Sequence, residues 1–334
     1  MSASRRRRPA GTLPRPLAFL AAGALAATTG AAISLLPARP TPSQASPVPP
    51  PSPAPSPSPV EPSEPPPGPS GFVTFVDTSA DPGFDLPGDA RRTGVRWYAL
   101  GHLGAAPDGC GLRWAGRLAF GHDPVANQVG RLRAGGGDAG LVFGGPGGEA
   151  AATCSRAGAL AAAYRRAIGA FDARYVDFDL PRPGDRATVL RRARAIRAVQ
   201  RERHLRVGFT LPLRSGGLAA GDATMLRLTR EAGVDVATVN LLARIEPQDA
   251  PEGRMRRLAA ALRAARAQIT RAYGLASPDE AWPRMAVTSV LADPSDLSVT
   301  DARKLAAFTG KYGLAWLSLR GAAPDPQVSR VLHG

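Results

Sequence analysis

The chain has 334 residues, two cysteines and a formal charge of +15, which by length alone permits one large domain or two small ones. Residues 1–70 supply +4 of that charge through six arginines and two glutamates, which leaves +11 on residues 71–334. All but Lys304 and Lys311 of the 42 basic residues are arginine in an alanine-rich chain. That is a compositional bias rather than the basic stripe of a nucleic-acid binder, so nucleic acid is set aside as a partner; a weak attraction to anionic surface polymers remains.

The N-terminal part has the order of an export signal: Arg5 to Arg8, then an apolar, charge-free stretch at 17–36. Ala24-Leu25-Ala26 offers a small-residue cleavage site, yet about 20 apolar residues also suffice to span a bilayer. Secretion and single-span membrane anchoring through 17–36 are therefore both expected readings, each placing the rest of the chain outside the cell. Residues 37–70 alternate proline with serine and other small residues. Proline's fixed φ and missing amide exclude helix and sheet there, and as polyproline II the stretch would reach on the order of 100 Å. The expected division is 1–36 export signal or anchor, 37–70 linker and 71–334 folded domain. In an exported chain Cys110 and Cys154 are either one disulfide or two free thiols.

From Gly71 onward eight short apolar runs alternate with amphipathic stretches. The runs are Phe72 to Val76, Val95 to Gly101, Gly140 to Phe143, Tyr175 to Leu180, Leu205 to Leu211, Val234 to Leu241, Met285 to Val290 and Leu314 to Leu319. Helical periodicity fills Val125 to Leu132, Ala157 to Phe171, Ala187 to His204, Met225 to Ala232, Met255 to Tyr273 and Asp301 to Tyr312. Such alternation predicts an α/β fold with a parallel sheet, and eight repeats favour closure into a (β/α)8 TIM barrel over an open doubly wound sheet. Gly144-Gly145-Pro146-Gly147-Gly148 lacks the spaced glycines of a dinucleotide site and reads as a tight loop at the barrel mouth.

The fourth run ends Tyr175-Val176-Asp177-Phe178-Asp179-Leu180-Pro181. Residues two apart share a strand face, so Asp177, Asp179 and Pro181 point one way and the apolar residues the other. Carboxylates toward the axis, roughly 7 Å apart, would raise one another's pKa unless a cation intervenes. Arg174 and Arg182 are the nearest such cations in sequence.

This strand resembles the signature of the family 18 glycoside hydrolases, the chitinases, in which alternating acidic residues on the fourth strand end in a glutamate. The likeness extends to Phe75-Val76-Asp77, Trp97-Tyr98-Ala99-Leu100, Gly144-Gly145, Thr210-Leu211-Pro212 and Val239-Asn240, and Cys110 and Cys154 stand where a secreted bacterial branch carries a cysteine pair. The resemblance implies a TIM barrel and a substrate-assisted reaction, in which the glutamate protonates the leaving oxygen and the aspartate two before it orients the substrate's acetamide. Asp179 matches that aspartate and Asp177 the one behind it. The glutamate's position is Pro181, which can neither give nor relay a proton. The acetamide-binding tyrosine after the sixth strand is replaced by Leu242 to Glu246, and the aromatic floor at the end of the eighth by Arg320, Trp316 reaching that register only through a gap.

The remaining candidates are few. His102, His122, His204 and His333 lack metal-ligand spacing, so no metal and no cofactor is expected. Glu149 and Glu246 follow strands and are candidate substitute acids; Trp97, Tyr98 and Trp114 are candidate sugar platforms. The expected ligand contacts are Tyr98, Gly144, Gly145, Glu149, Asn240, Glu246 and Arg320, with Asp177 and Asp179 as vestigial catalytic residues. The expected protein is an extracellular, monomeric, chitinase-like barrel, catalytically inactive, that binds a cell-wall or chitin-type polysaccharide or a protein partner. The alternative is an active hydrolase of an N-acetylglucosamine-containing polysaccharide; a third reading makes the domain a structural or interaction module whose mouth is filled by its own arginines, Arg320 or Arg244 pairing with Asp177 or Asp179.

Overall fold

A computed structural model describes residues 68–250 and 252–334. The expected export segment and nearly all of the expected linker lie outside the described residues. Among the described residues no helix is long and apolar enough to cross a membrane. The membrane anchoring expected through 17–36 thus has no membrane-crossing helix among the described residues to support it.

Eight parallel strands form the centre: β1 (Gly71–Asp77), β2 (Trp97–Ala105), β3 (Asp138–Gly144), β4 (Tyr175–Asp179), β5 (Arg206–Pro212), β6 (Thr238–Arg244), β7 (Met285–Leu291) and β8 (Trp316–Gly321). They neighbour one another in sequence order, and β1 pairs with both β2 and β8, so the sheet closes on itself. Helices α1 (Leu86–Thr93), α2 (Val129–Ala134), α3 (Ala159–Ala170), α4 (Arg186–Gln200), α5 (Ala220–Glu231), α6 (Arg254–Tyr273), α7 (Val299–Tyr312) and α8 (Pro326–His333) each follow a strand. This is the (β/α)8 barrel, with its functional face at the strands' C-terminal ends.

All eight expected strands are present; α1 and α8 were not expected. Both are only 8 residues long, too short to show a periodic pattern, but each opens on an aspartate cap followed by proline in the first turn: Asp85 accepts from Gly88 N, Asp325 from Gln327 N. A short strand, Leu112–Trp114, also unexpected, pairs antiparallel with the end of β2.

The layers follow from alternation along each strand. On β4, Val176 and Phe178 face the helices, where Phe178 packs against Phe143, Tyr164 and Phe209 at ring distances of 5.2, 5.4 and 5.5 Å. The opposite face points to the axis. At the N-terminal end the axis is filled by Val73, Trp97, Ala99, Ala286 and Trp316. Trp316 is thus part of the barrel's lower plug, four residues before Arg320 at the other end of the strand. Trp114 is buried beside Phe171, ring centroids 5.6 Å apart. Neither Trp97 nor Trp114 is placed to stack on a ligand at the mouth.

Cys110 and Cys154 are bridged, Cα to Cα 4.4 Å, tying the loop after β2 to the one-turn helix Ala150–Thr153 beyond β3. The bridge closes a sequence separation of 44 residues. Replacing both cysteines by serine is expected to lower unfolding stability by about 2–4 kcal/mol, read from denaturant midpoints, because the unfolded chain regains loop entropy. An unchanged midpoint would show that the bridge adds nothing to the fold.

Candidate functional site at the barrel mouth

The C-terminal ends of the strands surround a cavity of about 690 Å³ lined by Phe75, Asp77, His102, Gly145, Asp179, Pro181, Leu242 and Arg320, among others. Asp179 lies at its base, 5 % exposed. One of its oxygens, Oδ2, takes two partners at once: Arg320 donates to it at 2.5 Å and His102 Nε2 lies 3.0 Å away. Burial pushes this carboxyl up, but the His102 hydrogen bond and the charge and hydrogen bond of Arg320 more than offset it, so Asp179 is held below the usual carboxylate range. It is an ionised, charge-balanced acceptor.

Arg320 does a second thing. Its guanidinium lies 3.6 Å from the centroid of Phe75, covering that ring as a cation–π contact. The cation that neutralises the aspartate therefore comes from β8, 141 residues along the chain, and not from Arg174 or Arg182.

Metal-ligand spacing does not single out His102 in the sequence. In the structure it bridges two carboxylates, with Nδ1 3.7 Å from Asp77 Oδ2. Strict alternation from Trp97 would turn His102 toward the helices. The register between β2 and β3 shifts between Leu100 and Leu103, and the irregularity re-aims the side chain to the mouth. The neighbouring glycine loop makes room for it: a Cβ on Gly145 would come within 2.3 Å of the His102 ring, and Gly145 has φ +75°. Gly144 and Gly145 act through this close approach, with Gly145 N donating to Asp179 O at 2.9 Å.

Asp177 sits one step deeper and does not line the mouth. Thr210 donates to its Oδ2, Tyr175 to its Oδ1 at 3.4 Å. The chain of donors continues around the barrel, Asn240 donating to Thr210 Oγ1 at 2.9 Å and Thr288 to Asn240 Oδ1 at 3.0 Å. Gly208 leaves the space for this group, since a Cβ there would lie 2.5 Å from Asp177 Oδ1. Burial pushes Asp177 up to about 6, with the Thr210 hydrogen bond opposing and the Asp179 charge adding.

Several expected ligand contacts sit elsewhere. Tyr98 packs on the helix side of the sheet and donates to Asp89 of α1 at 2.9 Å; the same alternation that placed Asp177 assigns it that face. Asn240 is 1 % exposed and belongs to the internal hydrogen-bond chain. Glu149 is locked to Arg192, a fully buried guanidinium, at 2.5 Å. Glu246 pairs with Arg257, which holds its carboxyl below the usual range, and it lines a separate pocket. Both expected substitute acids are thus ion-paired with arginines. Among the described residues no cluster of three or more His, Cys, Asp or Glu is arranged to hold a metal.

The fold has relatives of known structure. The catalytic domain of a hyperthermophilic chitinase from Pyrococcus furiosus superposes with TM-score 0.67 at 24 % identity over 78 % of this chain and 94 % of that one. A GH18 chitinase from Pseudoalteromonas aurantia gives 0.56 at 13 %, over 78 % and 97 %, and a chitinase-like agglutinin from Robinia pseudoacacia 0.53 at 10 %, over 80 % and 99 %. No protein-family model and no curated protein sequence matches the chain. The folded part has the family 18 chitinase fold; at these identities the likeness speaks for fold alone.

The two aspartates make opposite contributions to stability. Asp177 has a folded-state value near 6, above its unfolded value of about 3.9, so its stabilising share is complete below about pH 4 and is lost as pH rises through 6. Asp179, held low, contributes above its unfolded value and loses that share only in acid. Asp177→Asn is therefore expected to gain on the wild type by an amount that grows from pH 4 to pH 7.5 to at most about 3 kcal/mol, measured by urea unfolding. Parallel pH profiles for the two proteins would show that Asp177 titrates as an ordinary carboxyl.

Proposed function

We propose that the chain is an extracellular, chitinase-like barrel that holds a cell-wall or chitin-type glycan at its mouth without cleaving it, with residues 1–36 as export signal and 37–70 as spacer. One observation carries this reading: Asp179 is neutralised by Arg320 while Pro181 stands where the resemblance expects the proton donor. An ionised aspartate fixed between a guanidinium and an imidazole is poorly suited to orient a moving acetamide, and a proline end to β4 leaves the leaving oxygen without its acid. Glu149 and Glu246 do not substitute, since each is committed to an arginine. The cavity nonetheless stays open, with Phe75, Pro181, Leu242 and Leu319 offering apolar surface beside the charged pair. Apolar walls with a few fixed polar groups suit binding of sugar faces and hydroxyls. That a similar fold occurs in a chitinase-like agglutinin agrees with a binding role.

A second reading is supported by His102. It faces the cavity between Asp77 and Asp179, and an imidazole is a side chain that can serve as a general acid. In that reading the chain is a hydrolase of an N-acetylglucosamine-containing polysaccharide with His102 as substitute acid.

Incubation of the full-length protein with chitohexaose separates the two. Non-cleaving binding gives retention on chitin above a denatured control with no shorter products. Pro181→Glu is expected to remain inactive as well, because Arg320 would still occupy Asp179. Product release that disappears in His102→Asn would overturn the non-catalytic reading in favour of the second.

A further inference from the structure

Beside the mouth, between the C-terminal ends of β5 and β6 and the first turns of α6, lies a second cavity of about 260 Å³. Its walls carry Arg214, Arg244, Arg254 and Arg257, and Glu246 is its sole acidic lining residue. The two cavities share an edge. Leu242 lines the mouth, its neighbour Ala243 lines the second pocket, and Leu213 of that pocket donates its amide to Leu242 O at 2.9 Å.

Two of the four arginines are structural. Arg254 donates to the carbonyls of Glu246 and Asp296 at 2.7 Å each and pairs with Asp301. Arg257 grips Glu246 and donates to Glu252 O at 2.8 Å. Arg214 and Arg244 differ. Both are exposed at adjacent strand ends, and neither forms an ion pair among the described residues; the field of Arg214 reaches the buried Asp222 of α5 without contact. The pocket thus holds more guanidinium than carboxylate over an apolar floor that includes the buried Ile245. Helix α6 adds to the field, since it begins there with Gly253 as cap, no capping side chain and no acidic residue in its first turn.

Exposed arginines on ordinary surface are usually interspersed with acids. Two uncompensated guanidiniums at the lip of a partly enclosed, apolar-floored pocket keep a positive potential that solvent screens less than on an open face. Guanidinium presents a planar fork that matches the two oxygens of a carboxylate or phosphate. We infer that this pocket is an anion subsite, in which Arg214 and Arg244 receive a carboxylate or phosphate carried by a glycan whose backbone lies in the adjoining mouth. The glycan part rests on the function proposed above; the anion subsite stands on the arginines. The ligand is then an acidic wall glycan in preference to neutral chitin.

The test is calorimetric titration of the full-length protein with three probes: neutral chitohexaose, an oligogalacturonate bearing carboxylates, and poly(glycerol phosphate). At least one anionic probe is expected to bind more tightly than the neutral one, with affinity that falls as sodium chloride rises from 20 to about 150 mM. The double variant Arg214→Ala, Arg244→Ala is expected to weaken that anionic probe tenfold or more while leaving chitohexaose unchanged, and the double lysine variant to recover part of the loss. Which anionic probe responds identifies the group recognised. Equal anionic binding by wild type and double variant, or no anionic binding at all, overturns the subsite. Anionic binding that depends on the two arginines without any chitohexaose binding overturns neutral-glycan binding at the mouth and leaves the subsite standing.

Discussion

The contact between Arg320 and Asp179 exists only because the sheet closes. β8 must hydrogen-bond to β1 on one side and β7 on the other before the end of the last strand can stand across the axis from the end of the fourth. Once it does, a charge that would be costly alone in a buried position is balanced at 2.5 Å, and the same guanidinium covers the Phe75 ring. Breaking a buried pair by removing one partner leaves the other charge uncompensated, a penalty of about 3–5 kcal/mol. Asp179 is therefore a structural element of the mouth as much as a candidate ligand contact.

Around that pair the barrel interior is graded by polarity. Tryptophans and small apolar residues fill the lower end, a hydroxyl and amide chain from Thr288 to Asp177 occupies the middle, and ionised groups stand at the mouth. The gradient explains why two aspartates on one strand titrate in opposite directions. Asp177 receives neutral donors in a place without a nearby contact cation, whereas Asp179 receives a guanidinium and an imidazole. Depth in the barrel and the strand opposite, rather than residue type, set their chemistry.

Under the proposed function, the mouth and the arginine pocket would divide recognition between them. The former offers apolar walls and a neutralised acceptor, the latter uncompensated positive charge at the next strand edge. The chain's abundance of arginine, which in the sequence reads as bias alone, becomes local where Arg214 and Arg244 meet at adjacent strand ends.

The sequence by itself determined the strand and helix alternation, the closure into eight units, the inward direction of Asp177 and Asp179 and the absence of an acid at Pro181. These follow from period and residue chemistry, which act over a few neighbours. The alternation of its own strand already turns Tyr98 toward the helices and Asp89, so its place away from the mouth is legible in the sequence. Only the tertiary structure decided that His102 enters the site, because a register shift in β2 reverses the side its position in sequence would give it. It alone decided that Glu149 and Glu246 are spent on Arg192 and Arg257, and that of the pairings open to Arg320 and Arg244 it is Arg320 with Asp179 that forms. Pairings across 11 to 141 residues depend on where closure brings strand ends and helices, and charge alone cannot choose among the many arginines of this chain.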